Sequence, residues 1–234
     1  MKILLAAIMM MMPLTLSAQH DKKEVNVQLQ LASVSKLKQT EFFLIAKEEE
    51  PISVTISSWQ LSPKYTVKAG KAYRLVSSIT DQTPMSSFKL SGGTKKVIGL
   101  LFKQKKSGSA PWRIQQLDAS AANFKAGQRK VFNLSRVPIK IKYAGKVVLI
   151  KPREQKNLAI PKSLKGEYIP VVGVFLANKE KKKWRKFLSS RWVANKHTRS
   201  IMFVYAEPST KSLIYHGLED SIEPETNIAT GSAN

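Results

Sequence analysis

Apolar and polar residues alternate with a period of two along much of this chain, and this pattern constrains the fold more than any other feature. Residues 25–31 read Val-Asn-Val-Gln-Leu-Gln-Leu, and residues 139–143 read Ile-Lys-Ile-Lys-Tyr. Successive side chains of a β-strand point to opposite faces, so each such segment has one buried and one solvated face. No window longer than about ten residues combines helical spacing with capping residues at both ends. The sequence therefore predicts an all-β protein.

Four segments are apolar on both faces and are predicted to be central strands: Phe42–Ala46, Val97–Phe102, Val171–Ala177 and Ile201–Ala206. Glycine-containing turns separate the strands. The clearest hairpin joins residues 139–143 to residues 147–150 through Ala144-Gly145-Lys146. Short strands joined by such turns favour a β-sandwich or barrel over βαβ units.

An internal repeat suggests two related domains. Val67-Lys68-Ala69-Gly70 is matched 57 positions later by Phe124-Lys125-Ala126-Gly127, and Leu117-Asp118-Ala119-Ser120 is echoed by Leu218-Glu219-Asp220-Ser221. Two explanations stay open: a duplication, or the general likeness of β-hairpins. We predict two tandem β-sandwich-like domains, an N-terminal β domain at 19–93 and a basic C-terminal β domain at 94–222. A disordered tail is predicted at 223–234, where Glu, Pro, Thr, Asn, Gly and Ser predominate.

The first eighteen residues resemble a secretory signal peptide. Lys2 precedes the apolar run Ile3–Met12, and small residues lead to a predicted cleavage after Ala18, with Ser17 as the alternative. The apolar run is too short to span a bilayer, which takes about 20 residues. The chain has no cysteine, so it has neither disulfides nor a thiol that could carry a lipid. We expect an exported protein, either periplasmic or extracellular.

The net charge of +23 indicates the kind of partner rather than the fold. Residues 125–199 hold 21 basic and 3 acidic side chains, so most of the surplus lies late in the chain. Polymers rich in phosphate or carboxylate are the partners that such a surface attracts, with a merely solvated basic surface as the alternative.

One part of the chain resembles a known group of proteins. Phe124–Ser135 contains Phe132-Asn133-Leu134 and is followed by Pro138, the Ala144-Gly145 turn and Pro152, and Leu188–Trp192 follows later. This pattern is similar to one in uncharacterised exported proteins of Verrucomicrobia-type bacteria, over roughly residues 95–218 of this chain. The resemblance implies export and β-architecture, and it implies no activity.

Patterns typical of enzymes are missing from the sequence. It contains no Gly-x-Ser-x-Gly elbow, no phosphate-binding loop and no zinc-type histidine spacing. Glu48-Glu49-Glu50 is interpreted as a hairpin loop, and His216, near Glu219 and Asp220, as an edge-strand histidine beside solvated acids. We therefore predict no catalytic residue, no metal site, no cofactor and a non-enzymatic protein, with a hydrolase whose residues the sequence does not reveal as the alternative.

The strongest binding candidate is a basic segment that contains tryptophan. Basic residues next to an aromatic ring can hold anions while the ring stacks or lies at an interface. Trp184 and Trp192 are eight residues apart, so on a regular strand they would face the same side. The predicted contacts with an anionic polymer, whether lipopolysaccharide, acidic polysaccharide, lipid headgroup or nucleic acid, are Lys181, Lys182, Lys183, Trp184, Arg185, Lys186 and Arg191. Two alternatives stay open: a hairpin tip with solvated lysines and core tryptophans, and a structural component of the cell envelope that binds another protein through a sheet edge.

Overall fold

The fold is all-β, as the alternation predicts. The computed structural model of the chain describes residues 25–81, 83–104, 110–162, 166–178, 180–207, 210 and 212–222. Within these ranges no residue is helical, so no helix there has the length and apolar character needed to cross a membrane. The predicted signal peptide at 1–18 and the predicted tail at 223–234 lie outside the described residues.

The described residues form sixteen strands in chain order. They are β1 (Asn26–Ser33), β2 (Glu41–Ala46), β3 (Ile52–Thr55), β4 (Tyr65–Lys68), β5 (Ala72–Val76), β6 (Ser86–Lys89), β7 (Lys96–Lys103), β8 (Trp112–Asp118), β9 (Gln128–Asn133), β10 (Ile139–Tyr143), β11 (Lys146–Ile150), β12 (Gln155–Ala159), β13 (Tyr168–Asn178), β14 (Lys183–Val193), β15 (Thr198–Ala206) and β16 (Leu213–Ser221).

Strand pairing divides the strands into four sheets of four. With the strands written in the order in which they lie side by side, these are sheet I (β3-β2-β5-β6), sheet II (β4-β1-β7-β8), sheet III (β12-β9-β15-β16) and sheet IV (β11-β10-β13-β14). Sheets I and II form the first sandwich, and sheets III and IV form the second. Two β-sandwich-like domains are therefore present, as predicted.

The two sandwiches have the same topology. Adding eight to each strand number of sheet I gives the strand order of sheet IV. Adding eight to each strand number of sheet II gives the strand order of sheet III. The one parallel pairing in each sandwich also matches, β1 with β7 and β9 with β15. Equivalent strands start between 90 residues apart, as for Tyr65 and Gln155, and 102 residues apart, as for Asn26 and Gln128. The topology therefore repeats at these longer spacings and not at the predicted 57 residues.

The sheets stack in the order I, II, III, IV, so the apolar core has three layers, one between each pair of neighbouring sheets. Val97 and Leu101 of β7 face sheet I, while Ile98 and Leu100 on the opposite side of the same strand face sheet III. Phe203 of β15 lies in this middle layer, between the two sandwiches. A strand covered on both sides needs apolar residues on both faces, which explains the continuous apolar runs at β7 and β15. All four predicted central strands have a partner on each side.

The predicted domain boundary at residue 93 disagrees with the strand pairing. β7 and β8 follow that position, yet β7 pairs with β1 and β8 pairs with β7. The sheets of the first sandwich therefore extend to Asp118, and those of the second begin at Gln128. The glycines at 92 and 93 mark a turn within a sandwich, and a turn signal alone does not distinguish a turn inside a domain from a linker between domains.

The predicted hairpin at residues 139–150 is confirmed. β10 pairs antiparallel with β11, and Tyr143 lies opposite Lys146. The two residues between them, Ala144 and Gly145, have φ values of 50° and 80°. Two central residues with positive φ are typical of a type I′ turn, whose twist matches that of the flanking strands. This hairpin positions β10 and β11 in sheet IV.

Candidate functional site

The outer face of sheet IV is the candidate site, and it is defined by which side chains of its strands point away from the core. Ile139, Ile141 and Tyr143 of β10 are buried against sheet III. Lys140 and Lys142, which alternate with them, must therefore point outward. The same reasoning places Val172 and Val174 of β13 outward, because their register partners are Lys142 and Lys140.

Register then shows how the outward side chains are arranged across the sheet. One row across the four strands consists of Leu149, Lys140, Val174 and Lys186, and the next consists of Val147, Lys142, Val172 and Ser189. Neighbouring strands lie about 4.8 Å apart, so each lysine of β10 has an aliphatic side chain on either side. Further along the face, Pro170 lies opposite Arg191, and Tyr168 lies opposite Val193.

The face carries positive charge without acidic neighbours on its own strands. Lys140 and Lys142 on β10, with Lys186 and Arg191 on β14, are its outward cations. Strands β10, β11, β13 and β14 contain no Asp or Glu in their described spans. An anion on this face would therefore meet cations that no carboxylate of these strands neutralises.

Trp184 is held on this face by a cation. The Lys140 ammonium lies 4.1 Å from the centroid of the Trp184 ring. Such an arrangement is attractive because the ring face is electron-rich. Further along the same face, Pro170, Val172, Ser189 and Arg191 line a shallow depression of about 320 Å³. The ring, its lysine and the depression lie on the same face of sheet IV.

The prediction that Trp184 and Trp192 share a side is wrong, and a β-bulge is the reason. Gly173 pairs with Leu188, whereas the next residue, Val174, pairs with Lys186, so Phe187 is an extra residue in β14. One inserted residue inverts the alternation beyond it. Trp192 consequently points inward and is 7% exposed, while Trp184 points outward.

The predicted contact residues therefore fall into three groups. Trp184, Lys186 and Arg191 point to the outer face of sheet IV. Arg185 is exposed, but it points to the other face of sheet IV and pairs with Phe175 of β13. Lys181 and Lys182 lie in the turn between β13 and β14, and Lys183 begins β14 at that end of the sheet. Residues 181–186 therefore form a charged turn followed by the start of β14.

Sequence reasoning missed the residues of β10, β11 and β13 on this face. The alternating lysines of residues 139–143 were a visible signal of a solvated basic face. What the sequence did not provide was the pairing that places β13 between β10 and β14. Without that pairing, Lys140 and Trp184, 44 positions apart in sequence, have no reason to be considered together.

His216 has different surroundings from those predicted. It does lie on an edge strand, β16, but its ring stacks on Trp59 with centroids 4.3 Å apart and lies near Tyr205. Asp220 is buried and bound to Arg199, so it is not a solvated acid. No group of three or more His, Asp or Glu side chains suited to a metal occurs in the described ranges.

A second basic site lies where the two sandwiches meet. A cavity of about 770 Å³ is lined there by Lys64, Lys95, Lys96 and Arg199, among others. Asp220 already binds two of these cations: its Oδ2 is 2.7 Å from an Arg199 guanidinium nitrogen and 3.1 Å from the Lys96 ammonium. Burial lowers the pKa of Lys96 despite this carboxylate. The cavity therefore offers less unneutralised charge than its four cations suggest.

Comparisons with other proteins add little to this picture. No protein-family model matches the chain, and no curated protein matches it. Two solved structures of proposed cell adhesion proteins, from Bacteroides uniformis and Bacteroides ovatus, are each 6% identical to it. The first match covers 88% of this chain and 100% of that one with a TM-score of 0.22, and the second covers 87% and 99% with a TM-score of 0.23.

Proposed function

We propose that this protein is an exported, non-enzymatic binding protein that holds an anionic partner of the cell envelope on the outer face of sheet IV. The export component rests on the signal-like residues 1–18, and the binding component rests on the second sandwich. The anions would be phosphates or carboxylates, since these are the groups that lysine and arginine bind through charge-assisted hydrogen bonds.

One observation carries the proposal: four cations point outward from a sheet whose strands contribute no acid. Lys142, Lys186 and Arg191 are exposed, and Lys140 is half-buried over Trp184. Each cation extends from a strand rather than from a loop. A backbone that is already ordered loses less conformational entropy on binding than a mobile segment.

The alternative, a protein partner bound along a sheet edge, has less support at this sheet. β14 is an edge strand of sheet IV, and it carries the bulge at Phe187 and two lysines, Lys183 and Lys186. Bulges and lysines are the features by which proteins prevent another strand from pairing with an exposed edge.

Binding to heparin, a soluble polyanion, tests the proposal. Four contacts of this kind would make the affinity fall on the order of 10²-fold between 50 and 200 mM salt, by analogy with DNA. The variant Lys140→Gln/Lys142→Gln/Lys186→Gln/Arg191→Gln should bind at least about tenfold more weakly in low salt and should lose most of the salt dependence. Titration of heparin into each protein at several salt concentrations gives both quantities.

A matched control removes the same charge from the first sandwich. Lys36, Lys38, Arg74 and Lys89 are exposed there, and their replacement by glutamine lowers the net charge equally. This control should keep most of the affinity. Equal losses in the two variants would show that only total charge matters and would overturn the assignment to sheet IV.

A further inference from the structure

The outer face of sheet IV is apolar as well as basic. Seven large hydrophobic residues are exposed in the described chain, and four of them lie on this face: Val147, Leu149, Tyr168 and Val193. Val172, Val174, Leu176 and Trp184 are half-buried on the same face. Exposed apolar side chains that cluster together usually mark a surface that is covered in use.

The equivalent face at the other end of the stack lacks the exposed part of this cluster. The outer face of sheet I carries Ser53, Thr55 and Ser87 with Arg74 and Lys89, and its large apolar residues Phe43 and Ile45 are half-buried. None of the exposed large hydrophobic residues lies on a strand of sheet I. Because the two sandwiches share one topology, the apolar cluster is a property of this sequence at sheet IV and not a consequence of the fold.

The combination of cations and exposed apolar side chains on this face favours a lipid surface over a soluble polyanion. A soluble polyanion would use the four cations but would gain little from Val147 or Leu149, since aliphatic side chains offer no stacking platform for bases. A lipid surface uses both kinds of group, because acyl chains accept aliphatic side chains while phosphates meet ammonium groups. Trp184 and Tyr168 are of the residue types that favour the boundary between the two.

We infer that the outer face of sheet IV docks flat on an anionic lipid surface, with the lysines and Arg191 at the phosphates and the aliphatic side chains against the outer parts of the acyl chains. This inference rests on the proposed function and names the source of the anions. The register rows favour it, because an aliphatic side chain on either side of each β10 lysine matches a surface in which charge and apolar groups are mixed at short range.

Co-sedimentation of the full chain with lipid vesicles tests the inference. Vesicles of phosphatidylcholine are compared with vesicles of equimolar phosphatidylcholine and phosphatidylglycerol, and every variant carries the same N-terminal residues. The unaltered protein should bind the anionic vesicles and should bind the neutral ones at least about tenfold more weakly. Val147→Ser/Leu149→Ser should weaken binding to the anionic vesicles at least about tenfold and leave heparin binding within about twofold.

The control replaces exposed apolar residues elsewhere, as Ile79→Ser/Tyr215→Ser, and should bind vesicles as the unaltered protein does. If Val147→Ser/Leu149→Ser binds anionic vesicles unchanged while heparin binding persists, the lipid inference is overturned and the proposed function stands. If the unaltered protein binds neither heparin nor anionic vesicles, the proposed function itself is wrong. Circular dichroism of each variant checks that it is folded.

Discussion

At the residue scale, Asp220 forms an ion pair across the contact between the sandwiches, with Lys96, and a second one with Arg199. It is 3% exposed and receives hydrogen bonds from Arg199 Nε at 2.8 Å and from Lys96 at 3.1 Å. Arg199 is 2% exposed, so solvent can replace this partner only poorly. Lys96 differs, because it is less buried and because burial outweighs its ion pair and lowers its pKa. The two cations should therefore respond differently to the loss of a partner.

Asp220→Asn should destabilise the protein by about 3–5 kcal/mol, because it leaves the buried guanidinium without its carboxylate. Lys96→Met should change stability by less than about 1 kcal/mol, since Asp220 keeps Arg199 and the lysine charge is disfavoured by burial. Urea unfolding at pH 7 measures both. Equal losses of stability in the two variants would contradict this account.

The same comparison has a pH dependence whose sign follows from the lowered pKa. Lys96 titrates at a lower pH in the folded than in the unfolded chain, so between the two pKa values the unfolded chain binds more protons. This residue's contribution to stability therefore rises with pH through that alkaline window. In Lys96→Met this contribution is absent. As pH rises through the window, the free energy of unfolding of the unaltered protein should therefore increase relative to that of Lys96→Met.

At the element scale, the bulge in β14 decides which side chains reach the outer face. Its position is explained by Gly173, because a Cβ there would lie 2.7 Å from Phe187 Cζ and 2.9 Å from Leu188 Cβ. The absent side chain makes room for the extra residue. Without the bulge, Trp184 would point to the core and the outer face would lose its tryptophan.

Gly173→Ala should therefore destabilise the protein by about 1–3 kcal/mol, as is usual when a packed core is overfilled. Gly217→Ala is the control, because Gly217 also lies in a strand and a Cβ there meets nothing within 4 Å. We expect it to be neutral or slightly stabilising. Thermal or urea unfolding compares the two, and a Gly173→Ala protein as stable as the control would mean that the bulge does not need this glycine.

Strands and turns were predictable from the sequence, whereas the bulge was not. Alternation and apolar runs depend on local burial, so the central strands and the Ala144-Gly145 hairpin could be recognised directly. The bulge depends on contact between Gly173 and Phe187, which are 14 positions apart. For the same reason, three of the predicted contact residues reach the site while Arg185 does not. The bulge reverses which residues of β14 point outward, and the spacing of apolar residues in the sequence does not show where this happens.

At the scale of the whole molecule, two sandwiches of the same topology are joined through a shared apolar layer. The predicted repeat matched one pair of equivalent segments, since residues 117–120 and 218–221 lie at the ends of β8 and β16. The other matched pair is not equivalent: Gly70 and Gly127 both adopt a positive φ, which produces similar Ala-Gly turns in different places. Similar Ala-Gly turns produced the apparent repeat at 57 residues, whereas the repeat of the two sandwiches is visible only in the strand pairing. The outer faces of the two sandwiches then differ in sequence, which gives one of them an amphipathic, basic character.

The location of bound anion on the whole molecule tests the central claim most directly. Lysines are acetylated with and without saturating heparin, and the modified positions are quantified by mass spectrometry. The account predicts that Lys140, Lys142 and Lys186 become protected, while Lys36, Lys38 and Lys89, which are exposed on the first sandwich, react as before. Protection spread evenly over both sandwiches, or confined to the first, would contradict the assignment of the binding surface to the outer face of sheet IV.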